Sequence, residues 1–72
     1  MEKLIFETNI RTPQSAQKVQ DALQRIAKIR HWKIDFDSIY NLLIIEGIRL
    51  DHIEIVSSLA THGIEASRLY EE

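Results

Sequence analysis

The side chains with metal chemistry of their own are three histidines, His31, His52 and His62, in a chain of 72 residues without cysteine. Imidazole binds Zn(II), Cu(II) or Ni(II), so a metal role would fall first on His31 and His52. Two imidazoles leave a site unfinished, because structural zinc takes four ligands. The absence of thiols removes disulfides, thiolate metal sites and cysteine nucleophiles. A second group is Thr12 and Ser15, within the stretch NIRTPQS and next to Arg11. If a helix starts there, its free amides and the guanidinium would attract a small anion. The plainer reading is that Thr12 caps the helix. Asp35 and Asp37 alternate with apolar residues, as solvated strand positions do. No histidine lies near Ser15 or Ser38 in sequence to activate a nucleophile. No catalytic residue and no cofactor is assigned, and an enzyme is not expected.

Holding such residues requires elements, and their signals are clear. LIFET, Leu4 to Thr8, alternates as a strand, and Thr12-Pro13 marks a helix start. Ala16, Val19, Ala22, Leu23 and Ile26 recur at helical steps, which predicts an amphipathic helix ending near Lys28. HWKIDFDS, residues 31–38, reads as a strand that buries Trp32, Ile34 and Phe36 on one face. Asp37, Ser38 and Asn41 supply the turn of a hairpin, and Leu42 to Glu46 is apolar on both faces, as a strand inside a sheet is. Asp51 with Glu54 resembles a capping box and opens a second helix through Ile53, Ile55, Val56, Leu59 and Ala60. Gly63 stops it, and Ile64 to Tyr70 forms a last strand before the solvated Glu71 and Glu72.

This order, strand, helix, strand, strand, helix, strand, predicts one domain over residues 1–72: a ferredoxin-like βαββαβ sandwich of the α/β (α+β) class, with both helices on one face of an antiparallel four-stranded sheet. Ile5, Leu42 and Ile44 would then be neighbours on the open face, a reason to expect self-association. His31 and His52 would lie together at one end, with His62 at the other beside the Thr12 loop.

The net charge of −2 offers no general attraction for a phosphate backbone, so nucleic acid is not the expected partner. Lys28, Arg30 and Lys33 form a short basic cluster, read as answering a helix dipole. The longest apolar run, Leu42 to Ile45, is far short of the ~20 residues of a membrane span, and no signal peptide is evident. A cytoplasmic protein without membrane contact is expected.

The scaffold residues resemble those of the heavy-metal-associated domain family, found in copper chaperones and in metal-transporting ATPases. The likeness covers nearly the whole chain. The family loop M-x-C-x-x-C corresponds to Ile10-Arg11-Thr12-Pro13-Gln14-Ser15. Its helix pattern V-x-x-A-L is met by Val19, Ala22 and Leu23. Its strand endings V-D and E-G are met by Ile34-Asp35 and Glu46-Gly47, and its A-G by His62-Gly63. Thr12 and Ser15 stand where the family has its two cysteines, and Ile10 where it has methionine. The resemblance therefore implies the fold and a vestigial loop, not thiolate metal binding.

The function expected is a protein-interaction or homo-oligomerising module, linked by ancestry to metal homeostasis. Its surfaces would be Ile5, Leu42 and Ile44, and the end around Ile10, Thr12, Ser15 and Ile64. The alternatives are a metal carrier using histidines or a site shared between subunits, and a sensor of anions or small molecules near Arg11.

Overall fold

A computed structural model describes residues 1–37 and 39–69 of the chain. The elements are β1 (Glu2–Thr8), α1 (Ser15–Leu23), β2 (Ile29–Asp35), β3 (Leu42–Gly47), α2 (His52–Thr61) and β4 (Ala66–Leu69). The four strands form one antiparallel sheet in the order β2-β3-β1-β4. The ferredoxin-like arrangement expected from the sequence is thus the one observed. Apolar β3 lies inside the sheet between β2 and β1, with Leu43 and Ile45 buried on one face and Leu42 and Ile44 half-buried on the other.

Alternation decides which face each strand residue takes. Leu4 and Phe6 of β1, Leu43 and Ile45 of β3, Val19, Ala22 and Leu23 of α1 and Ile55 and Leu59 of α2 are buried in one core, joined by Ile10 and Ile64. Trp32 and Ile34 pack against it while half-buried, because β2 is an edge strand.

Several boundaries differ from the sequence reading: β1 begins at Glu2 rather than Leu4 and β2 at Ile29 rather than His31, and three further differences have a visible cause. α1 ends at Leu23 rather than near Lys28. The Ile26 amide donates to Leu23 O at 3.0 Å, while Ala22 O accepts from the Ser58 hydroxyl at 2.7 Å. A carbonyl of the last turn is thus satisfied across the helix pair, and Ile26 reaches the core from a turn. β2 ends at Asp35, because its carboxylate accepts from the Asp37 amide at 3.0 Å and closes a turn. Phe36 is therefore 43% exposed instead of buried. β4 starts at Ala66, with Ile64 buried before it; Tyr70, Glu71, Glu72 and the turn residue Ser38 lie outside the described residues.

The two helix starts differ. Asp51 caps α2 as expected, accepting from the amides of Ile53 at 2.9 Å and Glu54 at 3.4 Å. The Thr12 hydroxyl instead meets Ser15 Oγ at 3.5 Å, and carbonyl-to-amide bonds from Thr12 to Ser15 and from Pro13 to Ala16 tighten the entry to α1. The expected side-chain cap is replaced by a backbone turn. Gly63 takes φ +80 just past α2, a conformation that costs a residue without Cβ little.

Candidate functional site

The loop from Asn9 to Gln14 is fixed from the sheet side by two residues that no motif singled out. Thr8, nearly buried, donates its hydroxyl to Asn41 O at 2.6 Å and accepts from the Ile10 amide at 3.3 Å. Asn9 pairs with Glu65: its amide donates to Glu65 O at 3.2 Å, and its Oδ1 accepts from the Glu65 amide at 3.1 Å. The base of the loop is thus tied to the β2–β3 turn and to the approach to β4. These signals were faint in sequence because both partners are distant along the chain.

Ile10 and Ile64 are 1% and 2% exposed and belong to the core. They cannot present the apolar end surface expected of them. The exposed apolar side chains near that end are Phe36, Ile39 and Tyr40, in the β2–β3 turn. Thr12 and Ser15 do come together, but as a pair of hydroxyls 3.5 Å apart. Neutral hydroxyls are hard, weak donors, and a soft ion such as Cu(I) needs thiolate. The donor set does not fit the metal that this loop position implies. A cleft of about 400 Å³ beside Arg11 is also lined by Glu7 and Glu65, whose carboxylates oppose an anion there.

The histidines stay apart. His31 pairs with Glu46 in the sheet and so points to the open face of edge strand β2. His52 opens α2 and its Nδ1 lies 3.4 Å from a guanidinium nitrogen of Arg68 in β4, the other edge strand. The expected approach of His31 to His52 fails, since they occupy opposite edges and opposite faces. His62 Nδ1 is 2.9 Å from the Ser58 carbonyl and donates to it. Among the described residues, no group of three or more ligating side chains is placed to hold a metal ion.

The open face brings the predicted aliphatics together and adds a fourth. Its central cross-strand row is Lys33, Ile44, Ile5 and Leu69. The row toward the Thr12 end is Asp35, Leu42, Glu7 and Ser67, and the row on the other side is His31, Glu46 and Lys3. Ile5, Leu42, Ile44 and Leu69 are half-buried by their neighbours and have no helix over them. Leu69 was missed because the last strand has too little alternation to fix which side faces the core.

The fold is that of heavy-metal-associated domains, the small metal-binding units of copper chaperones and P-type ATPases. The yeast copper transporter domain CCC2A superimposes with a TM-score of 0.83 at 9% identity, covering 100% of both chains. A copper binding domain from the P-type ATPase HMA7 gives 0.81 at 19% identity over 100% of this chain and 99% of that one. The amino-terminal domain of PacS from Synechocystis PCC6803 gives 0.79 at 11%, over 97% of this chain and 100% of that one. No family model matches this chain, and no curated protein does. No helix among the described residues is long and apolar enough to cross a membrane.

Proposed function

We propose that this chain is a protein-association module whose partner is a second copy of itself, joined through the open sheet face. The observation that carries this reading is the aliphatic row Ile44, Ile5 and Leu69 with Leu42 beside it, uncovered and bordered by charges. A place in metal homeostasis rests on the fold likeness to copper-binding and Zn(II)-form domains, and on nothing in the loop.

Charge favours a second copy as the occupant. A two-fold axis laid along the central row stacks each strand on its own counterpart and sets the Asp35 row over the His31 row. Glu7 then faces Lys3 of the second copy, and Asp35 faces its His31, each pair occurring twice by symmetry. Ile44, Ile5 and Leu69 meet their equivalents at the centre, as in sheet-on-sheet packing, while Leu42 lies over Glu46 of the second copy. Lys33, on edge strand β2, can turn its ammonium to water.

Sedimentation equilibrium on the untagged protein tests this. A dimer is expected, and Ile5→Lys with Ile44→Lys, which set like charges face to face across the axis, should return a monomer with native circular dichroism. A wild type that stays monomeric at the highest soluble concentration, or a dimer unchanged by both lysines, would sink the reading.

A further inference from the structure

At the end of the molecule away from the Thr12 loop, the turn after α1 meets the turn after β3. Between them is an open cleft of about 400 Å³ lined by Ala27, Lys28, Arg30, Ile48 and Arg49. Among the described residues, three cations and no carboxylate line it, in a chain whose net charge is −2. None of the three forms an ion pair with a described residue. The Glu2 carboxylate, at this same end, is held by the Leu50 amide at 2.7 Å.

The helix dipole does not account for the cluster. α1 ends at Leu23 with no basic residue in its last turn, and the dipole's influence fades within that turn. Lys33, grouped with Lys28 and Arg30 in the sequence, is on the open sheet face instead, and Arg49 takes its place.

Three irregularities of the backbone build this cleft. Ile29 pairs with Gly47 and His31 with Glu46, so Arg30 is the extra residue of a β-bulge, a device that re-aims a side chain. Arg49 sits at φ +55, a left-handed conformation that a non-glycine residue adopts at a cost. Gly47 lets the two segments touch: a Cβ there would run into the Lys28 carbonyl oxygen and lie 2.7 Å from Leu50 Cδ2. The Ile48 amide then donates to Lys28 O at 3.0 Å. A bulge, a strained residue and a close backbone approach all place cations around one volume.

We propose that this cleft binds a phosphate group. The two guanidiniums offer paired donors to phosphate oxygens, and Lys28 adds a mobile point charge. Ile48, 47% exposed, and Ala27 give the ligand an apolar wall, so the phosphate is borne by a small ester or by a lipid headgroup. The proposal is independent of the dimer, whose residues it does not use.

The test is a titration of the wild type with pyrophosphate at low salt, followed by amide chemical shifts, with a parallel arm of phosphatidylcholine vesicles with and without phosphatidic acid. Saturable shifts centred on Ala27 to Arg30 and Ile48 to Arg49 are expected. Arg30→Gln and Arg49→Gly should each weaken binding about tenfold, the scale of a lost charge-assisted hydrogen bond. Arg49→Gly also relieves the left-handed backbone, so it should fold at least as well as the wild type. Lys18→Gln, on α1, should bind as the wild type does. Cleft-dependent binding to phosphatidic acid vesicles alone assigns a lipid source, and to pyrophosphate as well a soluble one. No saturable binding in either arm, or binding indifferent to Arg30→Gln and Arg49→Gly, overturns the proposal.

Discussion

At the scale of single residues, the loop from Asn9 to Gln14 offers two hydroxyls where a soft-metal site needs thiolates. Thr12 Oγ1 and Ser15 Oγ are 3.5 Å apart, and the loop is held from below by Thr8 and Asn9. Two sulfurs in those places would be close enough to grip one soft ion, and a thiolate at a helix start is favoured by the free amides. Thr12→Cys with Ser15→Cys should therefore bind one Cu(I) per chain in competition with a chromogenic chelator, where the wild type binds none. Failure of the double variant to compete would mean that the loop's shape, and not only its chemistry, has departed from metal binding. His31 and His52 need no such test of position: a bulge at Arg30 and the strand's alternation send His31 to one face, while His52 belongs to the helix layer.

At the scale of elements, local chemistry was legible in sequence and distant chemistry was not. The Asp51 cap and the Gly63 stop depend on neighbours within four residues, and both are where the residue types put them. The end of α1 depends on Ser58, 36 residues beyond Ala22, so helical periodicity ran on to Ile26 without it. Phe36 alternates with Trp32 and Ile34 yet leaves the strand, because Asp35 closes a turn with its own carboxylate. Ile5 and Ile44 were legible as neighbours because β1 and β3 both have strong patterns; Leu69 and Arg49 were not, one in a weakly patterned strand and one in a turn. The two helix starts give a direct comparison. Asp51→Ala should cost about 1 kcal/mol, a fall in Tm of about 4–8 °C for a domain this small. Thr12→Ala should shift the thermal melt much less, since among the described residues its hydroxyl bonds only to the Ser15 hydroxyl. Equal losses would show that Thr12 caps the free amides in solution after all.

At the scale of the whole molecule, one sheet face is sealed by two helices and the other is an aliphatic centre between rows of charge. An alternating sheet face of this kind sets the geometry of a pair as well as its existence. If the two-fold axis runs along Lys33, Ile44, Ile5 and Leu69, Glu7 meets the second copy's Lys3 in both halves of the interface. Within its own sheet Glu7 is flanked by Leu42 and Ser67, so reversing its charge disturbs no cross-strand ion pair. Glu7→Lys should thus weaken the dimer by repelling Lys3 across it, while leaving the melting temperature of the monomer nearly unchanged. Lys3 stands opposite Glu46 in its own sheet, so Lys3→Glu alone should also weaken the dimer; the double variant should associate better than either single variant, and does so only if Glu7 and Lys3 meet across the axis. Added salt should narrow the gap between Glu7→Lys and the wild type, since rim charges are screened over a Debye length of about 8 Å at physiological ionic strength. A dimer that survives Glu7→Lys but is broken by Ile5→Lys with Ile44→Lys would keep the face and refute the axis, pointing to a rotation that places Glu7 outside the contact.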